Sequence, residues 1–268
     1  MKYFHTIPQG SGLLPLADEA CQLLAFAKLN LEAGQSYEGE TGEREMLLVA
    51  LSGRAELEVG GRKFAPIGGR PNVFAGNPHS VYLPRGQRFQ VRALTRFEAA
   101  LPSAPSDLET EPYEIRPEQV NTGRWGTLNF TRQFREILVE PDGRPASRLI
   151  VGETITPSGN WSTYPPHKHE TAQGSEVFHE EMYYFRLSSP EGWGLTRHYS
   201  PERGYDQTYV VKDETLLSIP HGYHTYVSAP GYTGYYLWFL AGDGRRQGVR
   251  FDPDLAWVQK TVGMVQGG

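Results

Sequence analysis

Alternation with a period of two dominates the chain. In Arg54–Val59 the apolar Ala55, Leu57 and Val59 alternate with Arg54, Glu56 and Glu58, and Gly60-Gly61 follows. That pattern predicts a half-buried strand ending in a hairpin turn. Further short runs at 73–74, 81–83 and 89–93 are separated by Gly68-Gly69, Gly76-Asn77-Pro78 and Pro84-Arg85-Gly86. Such clusters turn the chain because Gly and Pro supply φ values that strands cannot use. The first half shows almost no helical periodicity. A second set of strands is predicted at 149–154, 182–187, 208–211, 215–219 and in the aromatic run 235–240. Between the two sets, Leu101-Pro-Ser-Ala-Pro-Ser-Asp lacks large apolar side chains apart from its leucine and reads as a linker or crossover. The expectation is an all-β protein of two comparable units, each a barrel or sandwich.

Composition supports this. Gly and Pro supply 50 of 268 residues, roughly 19 % against about 12 % in average usage, as many short elements require. The longest apolar runs, 47–51 and 235–241, fall far short of the roughly 20 residues of a membrane helix, so no membrane association is expected. The net charge is −5 and no basic run occurs, which argues against a nucleic-acid partner. The opening MKYFHTIPQGSG has no apolar block of the secretory kind. The single Cys21 cannot form an internal disulfide, so a cytoplasmic location and an ordinary packed thiol are expected.

Histidine changes the picture from fold to chemistry. Six of eight (His167, His169, His179, His198, His221, His224) fall in one 58-residue window. His167 and His169 stand at i and i+2, which on a strand projects both imidazoles from one face, about 7 Å apart at Cα. Neutral imidazole with a carboxylate suits Zn, Fe, Ni or Mn. Glu180-Glu181 offers a third donor, and only one of two adjacent strand residues can face the ion. The turn Ile219-Pro-His-Gly-Tyr-His224 offers His221 or His224 as a fourth. Such a set would leave two positions of a six-coordinate ion open. His79 reads as a surface turn residue, and His179 and His198 as neighbours of the site or exposed residues rather than ligands.

The blocks SGNWSTYPPHKHE (158–170), EEMYYFRL (180–187) and IPHGYHTYVSAPGYTGYYLWFLAG (219–242) resemble the 5-deoxy-glucuronate isomerase family of myo-inositol catabolism, within the cupin superfamily. The first half agrees in LSGRAELEVGGRKF and IGGRPNVFAGNPHSVYLPRG. The resemblance implies a bicupin of two tandem jelly-roll-like barrels: a metal-free barrel over 1–105 and a metal-binding barrel over 106–268. It implies His167, His169, Glu181 and His224 as ligands of a divalent ion, zinc first, with manganese, iron or nickel as alternatives.

The activity implied is aldose–ketose isomerisation of 5-deoxy-D-glucuronate to 5-dehydro-2-deoxy-D-gluconate. Strand parity places Tyr183 on the face of Glu181 and Tyr226 on that of His224, so both are candidates for the pocket wall. Arg197 or Arg132 could hold the substrate carboxylate in the planar fork of a guanidinium. Alternatives are a pectin-pathway deoxy-hexosulose-uronate ketol-isomerase, a metal-dependent oxygenase and a non-catalytic sugar-binding cupin. The partner is a small sugar acid, with a homo-oligomer possible.

Overall fold

The computed structural model describes residues 1–266. In chain order its strands are β1 Phe4–Thr6, β2 Gly12–Pro15, β3 Ala25–Leu31, β4 Ser36–Glu40, β5 Arg44–Ser52, β6 Arg54–Val59, β7 Arg62–Gly68, β8 Ser80–Leu83, β9 Arg88–Ala93, β10 Phe97–Pro105 and β11 Tyr113–Ile115. There follow β12 Asn121–Trp125, β13 Arg132–Leu138, β14 Ile150–Thr156, β15 Trp161–Lys168, β16 His179–Leu187, β17 Gly194–Ser200, β18 Tyr205–Val211, β19 Thr215–Ile219, β20 Tyr223–Ser228, β21 Gly234–Gly242 and β22 Arg250–Phe251. A short α1, Gln259–Gln266, closes the described chain. No helix among the described residues is long and apolar enough to cross a membrane.

The strands form four antiparallel sheets, two per barrel. The first barrel pairs β11-β8-β5-β10-β3-β2 with β4-β9-β6-β7, and the second pairs β1-β19-β16-β21-β14-β13-β12 with β18-β17-β20-β15-β22. The six- and seven-stranded sheets pack against each other, and this contact explains the two longest apolar runs. On β5, Leu48 and Ala50 face the first barrel's interior. Leu47, Val49 and Leu51 face the second barrel, where they meet Met182, Tyr184, Leu237 and Phe239. Both faces are buried, so the run is continuous, whereas β6 and β9 in the outer sheet keep one wet face and alternate.

Buried carboxylates tie the barrels together. Glu45 of β5 accepts the backbone N–H groups of Ser147, Arg148 and Leu149 at 2.6–2.7 Å and the Tyr82 hydroxyl at 2.6 Å. Glu180 of β16 does the reverse, accepting the N–H groups of Gln22, Leu23 and Leu24 at 2.8, 2.7 and 3.2 Å. Glu153 takes Arg70 in a two-pronged pair together with Arg135 and the Tyr235 hydroxyl. Losing one partner of such a buried pair costs about 3–5 kcal/mol, because the other charge is stranded.

Several expectations need correction. Of the segment expected to be a linker, 101–107, residues 101–105 are the second half of β10, buried between β3 and β5. Its Ala and Ser side chains are small because two sheets close on them. Residues 73–74 form a turn rather than a strand, with Val73 packed into the inter-barrel core. The division at 105/106 is crossed both ways: β11 pairs with β8 of the first barrel, and β1 pairs with β19 of the second. His79 is buried instead of exposed, and burial holds its pKa down. Cys21 is buried, and burial pushes its thiol pKa up, so it is an inert packed thiol.

Candidate metal centre

Three strands of the second barrel deliver the donors. His167 lies near the end of β15, opposite His224 at the start of β20. Glu181 lies on β16, opposite Ile219, with its side chain on the interior face. His169 follows β15 directly. The ligand atoms of His167, His169, Glu181 and His224 all lie within 4.8 Å of one another. Donors at about 2.1 Å from one ion stand at most about 4.2 Å apart, so shifts of about half an ångström close this set on an ion.

The eleven-residue gap between His169 and Glu181 is pinched at its base. The His179 N–H donates to the His169 carbonyl at 2.8 Å, and His169 Nδ1 donates to the His179 carbonyl at 2.8 Å. The second bond fixes the tautomer, leaving Nε2 to face Glu181 Oε2 at 3.0 Å. His224 Nε2 lies 3.1 Å from the same oxygen, yet it is buried and outside hydrogen-bonding geometry. A buried nitrogen aimed at a carboxylate without bonding to it fits a metal ligand. Burial pushes the Glu181 pKa up, but the neighbouring His169 and His224 imidazoles outweigh it and hold the carboxyl below its usual range. For His167, burial and the neighbouring imidazoles hold the pKa well down, whereas for His169 burial pulls the pKa down but the adjoining Glu181 carboxylate outweighs it and raises it. Ionised carboxylate and neutral imidazole are the forms that bind metal.

A cavity of about 330 Å³ opens above the cluster. One side of β15 makes room for it. Ser162 pairs with Tyr226 and His167 with His224, so four residues, Thr163 to Pro166, bulge opposite the single Thr225. Thr163 within the bulge has φ 59°, a conformation that costs a non-glycine residue energy and clusters at functional sites. The other walls are β13, through Arg132, Phe134 and Glu136, and Trp238 of β21. The roof is the C-terminal segment, through Gln247, Gly248 and Val249, and the 170–178 loop is tied to it from outside. Val177 N–H donates to the Gly248 carbonyl at 3.1 Å, and a Cβ on Gly248 would lie 2.1 Å from the Ser175 carbonyl. Phe251 of β22 pairs opposite His167.

Of the four further candidates, Tyr183 and Arg132 line this cavity. The Tyr183 ring lies 5.4 Å from that of His224, and burial raises its pKa well above the usual range, keeping it a neutral phenol. Arg132 stacks over Trp125 at 4.9 Å. The other two are corrections. Arg197 points outward, bound two-pronged to Asp206 at 2.8 and 2.6 Å and stacked on Tyr199. Tyr226 does face inward, but deeper, where it packs against Phe185 and Tyr236 in the barrel's aromatic floor. Parity gives the face of a strand and not the depth along it.

His221 and His198 stand apart from the cluster, both bonded to the Tyr205 hydroxyl at 2.9 Å. Glu180 faces away from it, as parity required. The sequence reading missed the C-terminal roof, Phe134 and Glu136 beside Arg132 on the β13 wall, and the role of Glu180. The Glu-Glu doublet signalled only the last.

The KduI/IolB family profile matches residues 12–258. The chain is 37 % identical to the 5-deoxy-glucuronate isomerase of Geobacillus thermodenitrificans over 242 residues, covering 90 % of this chain and 88 % of the relative. It is 35 % identical to that of Bacillus subtilis over 236 residues, 87 % and 86 % of the two chains. Among solved structures it is similar to an IolB-like protein from Salmonella typhimurium, with TM-score 0.91, 32 % identity and coverage of 96 % and 99 %. It also resembles a Bacillus subtilis oxalate decarboxylase mutant with TM-score 0.65, 11 % identity and coverage of 93 % and 79 %, a likeness of cupin fold alone.

Proposed function

The chain belongs to the KduI/IolB family, and from that premise we propose that the cluster of the second barrel is the active centre of a 5-deoxy-glucuronate isomerase. The enzyme interconverts 5-deoxy-D-glucuronate and 5-dehydro-2-deoxy-D-gluconate, a step of myo-inositol catabolism in the cytoplasm. The observation that carries this reading is the co-location, in one cavity, of four convergent donors and Arg132, in a chain alignable over nine-tenths of its length with isomerases of that name.

His167, His169, Glu181 and His224 would hold a divalent ion, zinc in first place. A divalent ion supplies Lewis acidity for a carbonyl and its neighbouring hydroxyl, where negative charge develops as hydrogen moves between C2 and C1. With three neutral imidazoles and one carboxylate the site carries a net charge of about +1, which favours an anionic sugar acid. Arg132, 4.9 Å over the Trp125 ring, offers its planar fork to the substrate carboxylate. The neutral Tyr183 hydroxyl is positioned to donate a hydrogen bond to a sugar oxygen. Trp238, Val249 and Phe251 give the cavity an apolar wall beside the donors.

The test is elemental analysis of the purified protein together with an isomerase assay on 5-deoxy-glucuronate. One divalent ion per chain and turnover are expected. Full activity in a chelator-stripped, metal-free sample overturns the reading.

A further inference from the structure

We propose that Glu180 is a positioning residue for the metal centre, through which the metal-free first barrel sets the aim of Glu181. The inference rests on the metal-binding reading above and goes beyond it, because it assigns the first barrel a part in the site.

Glu180 and Glu181 are neighbours on β16 and point to opposite faces. Glu181 enters the cluster, while the buried Glu180 carboxylate enters the inter-barrel core. There Oε1 accepts the Gln22 N–H at 2.8 Å, and Oε2 accepts those of Leu23 at 2.7 Å and Leu24 at 3.2 Å. All three donors come from the segment leading into β3 of the first barrel. A carboxylate held by three backbone amides is fixed in position, because each bond is charge-assisted and the amides cannot rotate independently. The same segment is tied to β19, where Asp18 accepts both the Cys21 N–H at 2.9 Å and the Ser218 hydroxyl at 2.9 Å. The backbone on either side of Glu181 is therefore referenced to the first barrel.

The molecule contains its own control. Glu45 occupies the matching place on β5 and is clamped in the same manner by three amides of 147–149. Its neighbour on the interior face is Met46, not a metal donor. Removing the charge from either lock weakens the barrel–barrel contact. Only the Glu180 lock adjoins a ligand.

The experiment titrates wild type, E180Q and E45Q with Zn2+ against a chromophoric chelator, and in parallel measures unfolding of the metal-free proteins. Wild-type protein that binds no Zn2+ refutes the metal centre itself. Given wild-type binding, E180Q is expected to bind Zn2+ about 10- to 100-fold more weakly, with E45Q within about threefold of wild type despite a comparable loss of stability. Equal affinity in E180Q and wild type, or equal weakening in both variants, overturns the positioning role. E180D, which shortens the lock but keeps its charge, carries the same comparison if E180Q is recovered unfolded.

Discussion

The two barrels share a frame and differ in what fills it. In the first, β4 pairs with β9 so that Glu40 lies opposite Arg88, and β5 pairs with β8 so that Met46 adjoins Leu83. In the second, His167 lies opposite His224, and Glu181 lies opposite Ile219. The turns correspond as well: Pro84-Arg85-Gly86-Gln87-Arg88 answers Pro220-His221-Gly222-Tyr223-His224. Position for position, the first barrel places an exposed Glu40, a half-buried Met46 and an exposed Arg88 where the second has three of its four donors, His167, Glu181 and His224. Its interior is filled with aliphatic side chains such as Leu29, Leu48, Leu57 and Val81. The second barrel has an aromatic floor of Tyr183, Phe185, Tyr226 and Tyr236, with the donors above it. A jelly-roll is thus a neutral scaffold. Three substitutions at the rim, a four-residue bulge in β15 and the 170–178 loop separate a packed plug from a reaction chamber.

The comparison can be broken at its rim first. His167→Ala or His224→Ala is expected to remove bound metal and lower isomerase turnover by about 10³-fold or more, since the ion supplies several kcal/mol. Circular dichroism should show the barrel still folded. The interior of the first barrel gives the converse. Leu48→Ala should cost about 2–5 kcal/mol in denaturant unfolding, through lost burial and the cavity left behind, with Zn2+ affinity unchanged.

Two arginines sharpen the contrast within the second barrel. Arg132→Ala should raise KM for the sugar acid about 10- to 100-fold, the loss of a charge-assisted pair. A substrate analogue without the carboxylate should be unaffected, and equal losses for both substrates would contradict the role. Arg197→Ala removes an exposed pair, worth little in solution, and steady-state kinetics should stay within about twofold of wild type.

How far the sequence disclosed all this depends on which physical signal each feature leaves. Strands wet on one face, such as β6 and β9, announce themselves by alternation. The β10 half over 101–105 did not, because residues squeezed between two sheets are small and mimic a linker. His-x-His, the Glu180-Glu181 doublet and the Pro-x-Gly-x-His turn mark the region but leave Glu180 or Glu181 and His221 or His224 open, and only the family resemblance chooses between them. The long insertion does not keep the four donors apart, because the mutual bonds between residues 169 and 179 close its base. Arg197 and Tyr226 were misplaced because outward ion pairs and depth within a barrel leave no periodic trace. Glu45 and Glu180 bind backbone amides more than one hundred residues away, and amides have no sequence signature.

The pairing of β1 with β19 has a consequence for how the protein is made. His5 lies opposite Leu216, so β1 must stay unpaired until about 210 further residues have left the ribosome. At about 5–20 residues per second that wait lasts roughly 10–40 s. Through it the first barrel can close around its own interior, whereas the second cannot complete its larger sheet. The two halves of the molecule, so alike in frame, are finished in a fixed order, with the first available as a template for the other.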